Sequence, residues 1–338
     1  MSRHHEGACP ESFGEDSGRA AVLASIVKHK GAAPSMISTS AGTGTLPAMI
    51  AGVAANLFLG FSSLFWKELA SVAPATLLGY RIVLSLATLV AVMALLGRFQ
   101  GLGTRLTGRV VAIHAAAALL VAGNWGTFIW ASIHGHVVES GLGYLIAPFV
   151  AIAVGALALG DPMTWLRKGA LAVIIAAVLA MVLRSGELQH WVYLVIGATW
   201  GGYACLKKLT TLDAFSGLLC ETVVLAALLA VSLAASATTM RLPAAIPWPA
   251  VPVLLALSGL VSVLPLWLFS LAAARLPLSV MGFFQFVLPT TQLFVALVFY
   301  RQAVSANTLL CFAAIWLALG MLLAEPLVRR TLGARPAA

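Results

Sequence analysis

The chain has 338 residues, enough for two soluble domains, yet 61% are hydrophobic, only 9% are charged, and the mean hydropathy is +1.00. Soluble domains carry roughly 25% charged residues, so a water-covered surface is excluded and a lipid bilayer is the solvent that suits this chain. The net charge of +9 does not point to nucleic acid, because Lys and Arg cluster at the ends of apolar runs, where membrane proteins keep the charges that orient them.

Residues 1–46 differ from the rest: charges of both signs, then a small polar run, SMISTSAGTGT, at 35–45. They read as a disordered cytoplasmic tail without a secretory leader, with Met36 or Met49 as alternative starts. From there ten apolar spans follow, at 47–66, 73–96, 109–130, 138–159, 165–183, 189–207, 215–236, 250–272, 278–300 and 305–325. Each is near the ~20 residues that a spanning helix needs, and none shows the ~10-residue alternation of a barrel strand. The connections are short and hold Gly, Pro or charge, as at 97–105, 161–163 and 247–249, and none is large enough to house a soluble domain. The fold class is an all-α polytopic membrane protein with ten transmembrane helices.

With the N-terminus inside, the inner loops and C-terminal tail hold Arg98, Arg105, Arg109, Arg167, Lys168, Lys207, Lys208, Arg275, Arg329, Arg330 and Arg335. The outer loops hold only Lys67, Arg184, Arg241 and Arg301. The positive-inside rule therefore puts both termini in the cytoplasm.

The fourth and ninth spans each carry a central proline, Pro148 and Pro289, 141 residues apart, and Gly143-Tyr144 answers Gly282-Phe283. A shift of 140 residues lays Lys67 on Lys207 and Arg81 on Glu221. Spans 1–5 thus match spans 6–10, and because five is odd the second copy enters the membrane from the opposite face. This is an inverted repeat, which in membrane proteins points to a transporter with a central site between the copies. The organisation reads as a tail (1–46), a first five-helix repeat (47–187), a second (188–326) and a cytoplasmic tail (327–338).

Four stretches carry a family resemblance: GNWxxFIWA (123–131), ExxLGYxIxP (139–148), GLLxET (217–222) and LxxxGFFQxxxP (278–289). They resemble RarD-type proteins of the EamA group, in the drug/metabolite transporter superfamily, and the resemblance covers about 50 to 325. It implies a bacterial inner-membrane permease with an export role, and RarD-like proteins carry chloramphenicol as a label. The chain departs from the family pattern at Leu59-Gly60, Tyr80-Arg81, Gly160-Asp161 and Arg301-Gln302. Loss of the carboxylate at Gln302 leaves these last two pairs as helix terminators that orient a loop.

Arg81 is the sharpest candidate for function, since a charge in a span costs roughly 2.5–3.5 kcal/mol and faces a partner or a cavity. Glu221 is the obvious partner: Arg81 lies about 12 Å from the outer side and Glu221 about 10 Å from the inner, leaving about 8 Å between them across a ~30 Å core. The pair reads either as a static lock between spans 2 and 7, or as a solute site at Arg81 with a proton site at Glu221. Asn124 and Trp125 in span 3, Tyr144 in span 4, and Gln285 and Gln292 in span 9 are the other solute-binding candidates. Pro148 and Pro289 free backbone carbonyls and supply bends for gating.

His114 reads as a satisfied polar residue, and Lys67, Lys207 and Lys208 as topology signals. His134, His136 and Glu139 give too few ligands for a metal. Cys9, Cys205, Cys220 and Cys311 form no CxxC pair and read as packing residues. No P-loop and no Ser/His/Asp set is present, so the reading is neither an ATP-driven pump nor an enzyme, and no cofactor is expected.

The sequence thus describes a secondary transporter whose repeats rock about a cavity lined by spans 1–4 and 6–9. Its partners are a small-molecule solute, the lipid bilayer and a proton as candidate coupling ion. Monomer and homodimer are equally compatible with it. The rival reading is a non-transporting membrane sensor or scaffold.

Overall fold

The computed structural model describes residues 45–100, 102–158, 163–207, 209–235, 239–243, 249–273, 275–276, 284 and 286–331. Ten helices of twelve residues or more follow one another among them. They are α1 (Thr45–Lys67), α2 (Pro74–Leu95), α3 (Gly108–His134), α4 (Val137–Ala158), α5 (Trp165–Arg184), α6 (His190–Lys207), α7 (Ala214–Ala234), α8 (Ala250–Ala273), α9 (Val287–Val298) and α10 (Ala306–Thr331). A one-turn helix, Leu102–Arg105, lies between α2 and α3. Eight are long and apolar enough to cross a membrane; α6 and α9, with 18 and 12 residues, fall outside that set. Large apolar side chains such as Leu119, Val231, Leu310 and Leu317 point outward, which suits hydrocarbon and not water.

The helix ends follow local chemistry. Pro74 opens α2, where its missing N–H costs nothing. Thr107 caps α3 by accepting from Val110 N–H, and Gly135 at φ 79° closes it. Thr164 caps α5 in the same way. Asp213 caps α7 by accepting from the N–H groups of Phe215 and Ser216. Burial pushes the Asp213 carboxyl up, but the Ser216 hydroxyl, these two N–H groups and Arg98 outweigh it and hold the group below its ordinary range.

Contacts between helix ends sort them onto two faces. On one, here the far face, Tyr300 after α9 meets Ser63 of α1 and Ser132 of α3. Gln302 meets Glu139 of α4, Thr308 of α10 meets Glu187 beyond α5, and Tyr80 of α2 meets Met240 beyond α7. On the near face, Lys207 at the end of α6 pairs with Glu221 of α7, which also meets His114 of α3, and Arg167 of α5 pairs with Glu325 of α10. Successive helices therefore cross in opposite directions.

The principal interfaces are α4 with α6, α1 with α8, α3 with α6, α5 with α10, α2 with α8, α1 with α9, α4 with α9, and α2 and α3 with α7. This set maps onto itself when each helix is exchanged with the one five places away. Each of these interfaces thus has a counterpart five helices along, or is its own counterpart. One close approach is α4 on α6. Added Cβ atoms at Gly143 and Gly201 would lie 2.6 Å from Ile196 Cβ and from Ala147 O. Small residues at such positions let helix backbones close in the absence of a hydrophobic drive between them.

Two helical details correct the sequence reading. Pro148 does sit inside α4, but Pro289 lies in the first turn of α9, where a proline breaks no hydrogen bond; the earlier part of the predicted 278–300 span, apart from Phe284 and Phe286, lies outside the described residues. Pro265, which the sequence reading passed over, sits inside α8.

Gly201→Val drives a side chain into the Ala147 carbonyl and should cost about 1–3 kcal/mol. The check is thermal unfolding of the detergent-purified protein. Gly320→Ala, whose Cβ meets nothing within 4 Å, should leave the midpoint unchanged or slightly raised.

Candidate functional site

Between the two sets of helices lies a cavity of about 270 Å³, continued at one end by a narrower chamber of about 50 Å³. Its described walls come from α1–α4 and α6–α9. Leu59, Tyr144, Trp200, Tyr203, Leu218, Leu266 and Leu288 line both parts. The narrow chamber adds Trp66, Arg81, Asn124, Trp125 and Phe128 toward the far face. The wider part adds Asn56, Lys207, Phe215, Phe269 and Pro289 toward the near face. The walls are mostly apolar and aromatic with a few polar groups, the usual make-up of a small-molecule site.

Arg81 is buried, with 7% of its surface exposed. Its guanidinium lies 4.0 Å from the ring centre of Trp125 and 5.1 Å from that of Trp66. Cation–π attraction of this kind is worth about 2 kcal/mol when water is excluded. It does not saturate the hydrogen-bonding groups: Nε and Nη1 of Arg81, and Nε1 of Trp66, have no partner.

The expected Arg81–Glu221 pair is not formed among the described residues. Glu221, fully buried, accepts instead from Lys207 Nζ at 2.8 Å, His114 Nδ1 at 2.8 Å and the Tyr203 hydroxyl at 3.0 Å. His114 Nε2 lies 2.8 Å from the Thr210 hydroxyl. With Nδ1 donating to the carboxylate, a neutral His114 accepts from Thr210 at Nε2, and a protonated one donates there. Either way the ring bridges Glu221 to Thr210 within one hydrogen-bonded cluster. Room for it comes from Gly217, one turn before Glu221, where a Cβ would lie 2.6 Å from Lys207 Nζ and 2.8 Å from His114 Cε1.

Sequence reasoning treated Lys207 as a topology signal and His114 as merely satisfied, and it named neither Tyr203, Trp66 nor Trp200. Depth was the signal that would have joined His114 to Glu221. His114 is six residues into α3 and Glu221 seven into α7, so both lie about 10 Å above the near face.

Asn124 donates to the Thr199 hydroxyl at 3.3 Å and accepts from the Tyr144 hydroxyl at 3.0 Å. Its amide is spent on joining α3, α4 and α6, and it fixes Tyr144. Tyr144 stands edge-on to Trp200 and Phe128, and Trp200 stacks on Tyr203. Gln292 is fully buried but is not among the residues lining the cavity. It faces Gly141 of α4, where a Cβ would lie 3.2 Å from its own, and its amide atoms have no partner. Gln285 and Asp161 lie outside the described residues.

Toward the far face, described side chains pack over the narrow chamber. Trp66, Leu77, Phe128, Ile129, Val251 and Leu255 form an apolar cluster over the narrow chamber. Around it, Gln302 donates to Glu139 at 2.7 Å and accepts from Val138 N–H at 3.0 Å, while the Tyr300 hydroxyl sits 2.8 Å from Ser63 O and 2.9 Å from Ser132 O. Lys67, another expected topology signal, lies 4.3 Å over the Tyr300 ring. His134 and His136 stack on Trp130, and no cluster of metal-ligating residues occurs among the described residues.

No family model matches the chain. It is 30% identical over 290 residues to Protein RarD of Escherichia coli K12, covering 85% of this chain and 98% of that protein. It is 31% identical over 272 residues to an uncharacterized transporter of Vibrio cholerae, covering 80% and 90% of the two chains. With the uncharacterized transporter YojE of Bacillus subtilis it shares 31% over 265 residues, 77% and 88% of the two. A solved crystal structure at 16% identity superposes with a TM-score of 0.54 over 87% of this chain and 100% of that one, a likeness of fold.

Glu221→Ala takes the acceptor from three donors, His114 buried and Tyr203 and Lys207 half-buried, and leaves Lys207 without its counter-charge. It should cost about 3–5 kcal/mol, as breaking one side of a buried pair does. A Glu221→Met, Lys207→Met double variant should unfold at a higher temperature than Glu221→Ala. If the double variant is no more stable than the single, the ion pair does not hold this region.

Proposed function

The chain belongs to the RarD family, in the EamA group of the drug/metabolite transporter superfamily, and on that premise we propose that it is a permease for a small metabolite or drug-like solute. It works as an exporter in the bacterial inner membrane, with both termini in the cytoplasm, and it carries its solute rather than transforming it. The observation that supports the reading is the cavity, whose described walls come from four helices of each half of the chain and which described side-chain contacts cover toward the far face.

The mechanism is alternating access. Repeats 47–187 and 188–326 rock about the cavity, with 1–46 and 327–338 as cytoplasmic tails, and Pro148 lets α4 bend while Pro289 marks the start of the α9 segment. The near face is the cytoplasmic one, so the described state is closed to the outside. Opening outward breaks the Gln302–Glu139 and Tyr300–Ser63 contacts, which are hydrogen bonds worth about 1 kcal/mol each and hence reversible. Arg81, Trp125 and Tyr144 meet the solute, and Asn124 positions Tyr144. Glu221 with His114 is the proton-coupling candidate. One charge moving through ~100 mV supplies about 2.3 kcal/mol, enough for roughly 50-fold accumulation.

The test is metabolite profiling of the medium of a transporter-poor bacterial host expressing the protein, with Arg81→Ala at matched membrane levels. A solute should appear outside with the intact protein and fall at least tenfold with the variant. A protonophore should abolish its accumulation if a proton drives the step. Identical media from both strains would favour the sensor or scaffold reading.

A further inference from the structure

The orphaned groups at the far end of the cavity specify the chemistry of what occupies it. Arg81 Nε, Arg81 Nη1 and Trp66 Nε1 are buried hydrogen-bond donors without partners, and Arg81 and Trp66 line the same narrow chamber. The other partnerless side-chain atoms belong to Ser85, Ser140, Ser258, Gln292 and Trp316, none of which lines either part of the cavity among the described residues. The unmet demand at this end is therefore all for acceptors.

Charge gives the same answer. Two cations line the described cavity, Arg81 and Lys207. Lys207 is neutralised by Glu221. Arg81 has no acidic partner among the described residues and is desolvated between two indole rings. A single unmatched positive charge in a site that excludes water favours a single negative charge, and a planar guanidinium matches the geometry of a carboxylate. Beyond Arg81 the walls turn aromatic and apolar, with Tyr144, Trp200, Tyr203, Phe215 and Phe269.

We propose that the solute is an organic monoanion: a carboxylate seated on Arg81 and Trp66, carrying a flat apolar body that lies along the aromatic wall toward Lys207. This rests on the permease reading, whose solute class it names. The cavity of about 270 Å³ sets the scale as a small solute. A dicarboxylate is disfavoured because Lys207 is already paired, and an amine because it would bring a second positive charge against Arg81.

The experiment uses full-length protein in nanodiscs of zwitterionic lipid at low chloride, and three probes of one shape: 3-phenylpropanoate, 3-phenylpropanamide and 3-phenylpropylamine. Binding is read by quenching of tryptophan fluorescence and by thermal shift. The carboxylate should bind at least tenfold more tightly than the amide, and the amine should not bind. In Arg81→Gln, checked for monodispersity, the preference for carboxylate over amide should fall to within twofold. Sodium chloride should not displace the carboxylate at equal concentration.

Equal or better binding of the amide or amine to the native protein overturns the inference even if the variant does not fold. Displacement by equimolar chloride assigns Arg81 to an inorganic anion and also overturns it. The same probes are then followed in proteoliposome exchange. Exchange of the amide or amine without the carboxylate leaves a permease and removes the anion. Tight carboxylate binding with no exchange of any probe leaves the anion site and removes the permease.

Discussion

Hydrocarbon offers no hydrogen bonds, so every polar group carried into it must find a partner within the protein. The helices answer this for the backbone. For the side chains it is answered by small closed sets: Glu221 with Lys207, His114 and Tyr203, and Asn124 with Tyr144 and Thr199. Against these, Arg81 stands out. It is buried, yet among the described residues its Nε and Nη1 have no acceptor, and the faces of Trp66 and Trp125 lie against its charge. A folded membrane protein tolerates such a group where a partner arrives from outside the chain.

The architecture gives that visitor a place. α5 and α10 pack on one another and contribute no described residue to the cavity wall. Beyond each other, their main neighbour is α4. Close glycine contacts fix α4 against α6, whereas the closure at the far face is made of an apolar cluster and a few hydrogen bonds from the segment after α9. The close backbone contacts and the hydrogen-bonded contacts at the far face are thus in different places.

Much of this was legible in the sequence. Eight of the ten apolar runs fall on helices long and apolar enough to cross a membrane, and the sixth and ninth fall on described helices of 18 and 12 residues, because length and hydropathy largely decide which segments hydrocarbon accepts. A lone arginine inside one of those runs announces itself for the same reason. Partnership was not legible. Lys207 ends an apolar span, where an orienting charge and a partner of a buried acid look identical in one dimension. Only the packing of α3, α6 and α7 turns it and His114 onto Glu221. Gln292 shares a helical face with Pro289 in the sequence, but α9 sets it against Gly141 of α4 and away from the cavity. Pro289 looked central because the run around it is long; within the described residues α9 starts only two residues before it.

The central claim is that one cavity communicates with each face of the membrane in turn. The most direct measurement is labelling of a single cysteine at Leu59, which lines both parts of the cavity, in a background where the four native cysteines are replaced. A membrane-impermeant thiol reagent is added from one side at a time, in right-side-out and inverted vesicles. The account predicts reaction from the near face in the resting protein, and from the far face only when solute is being carried. Reaction from neither side under any condition would contradict it, as would simultaneous access from both sides at rest.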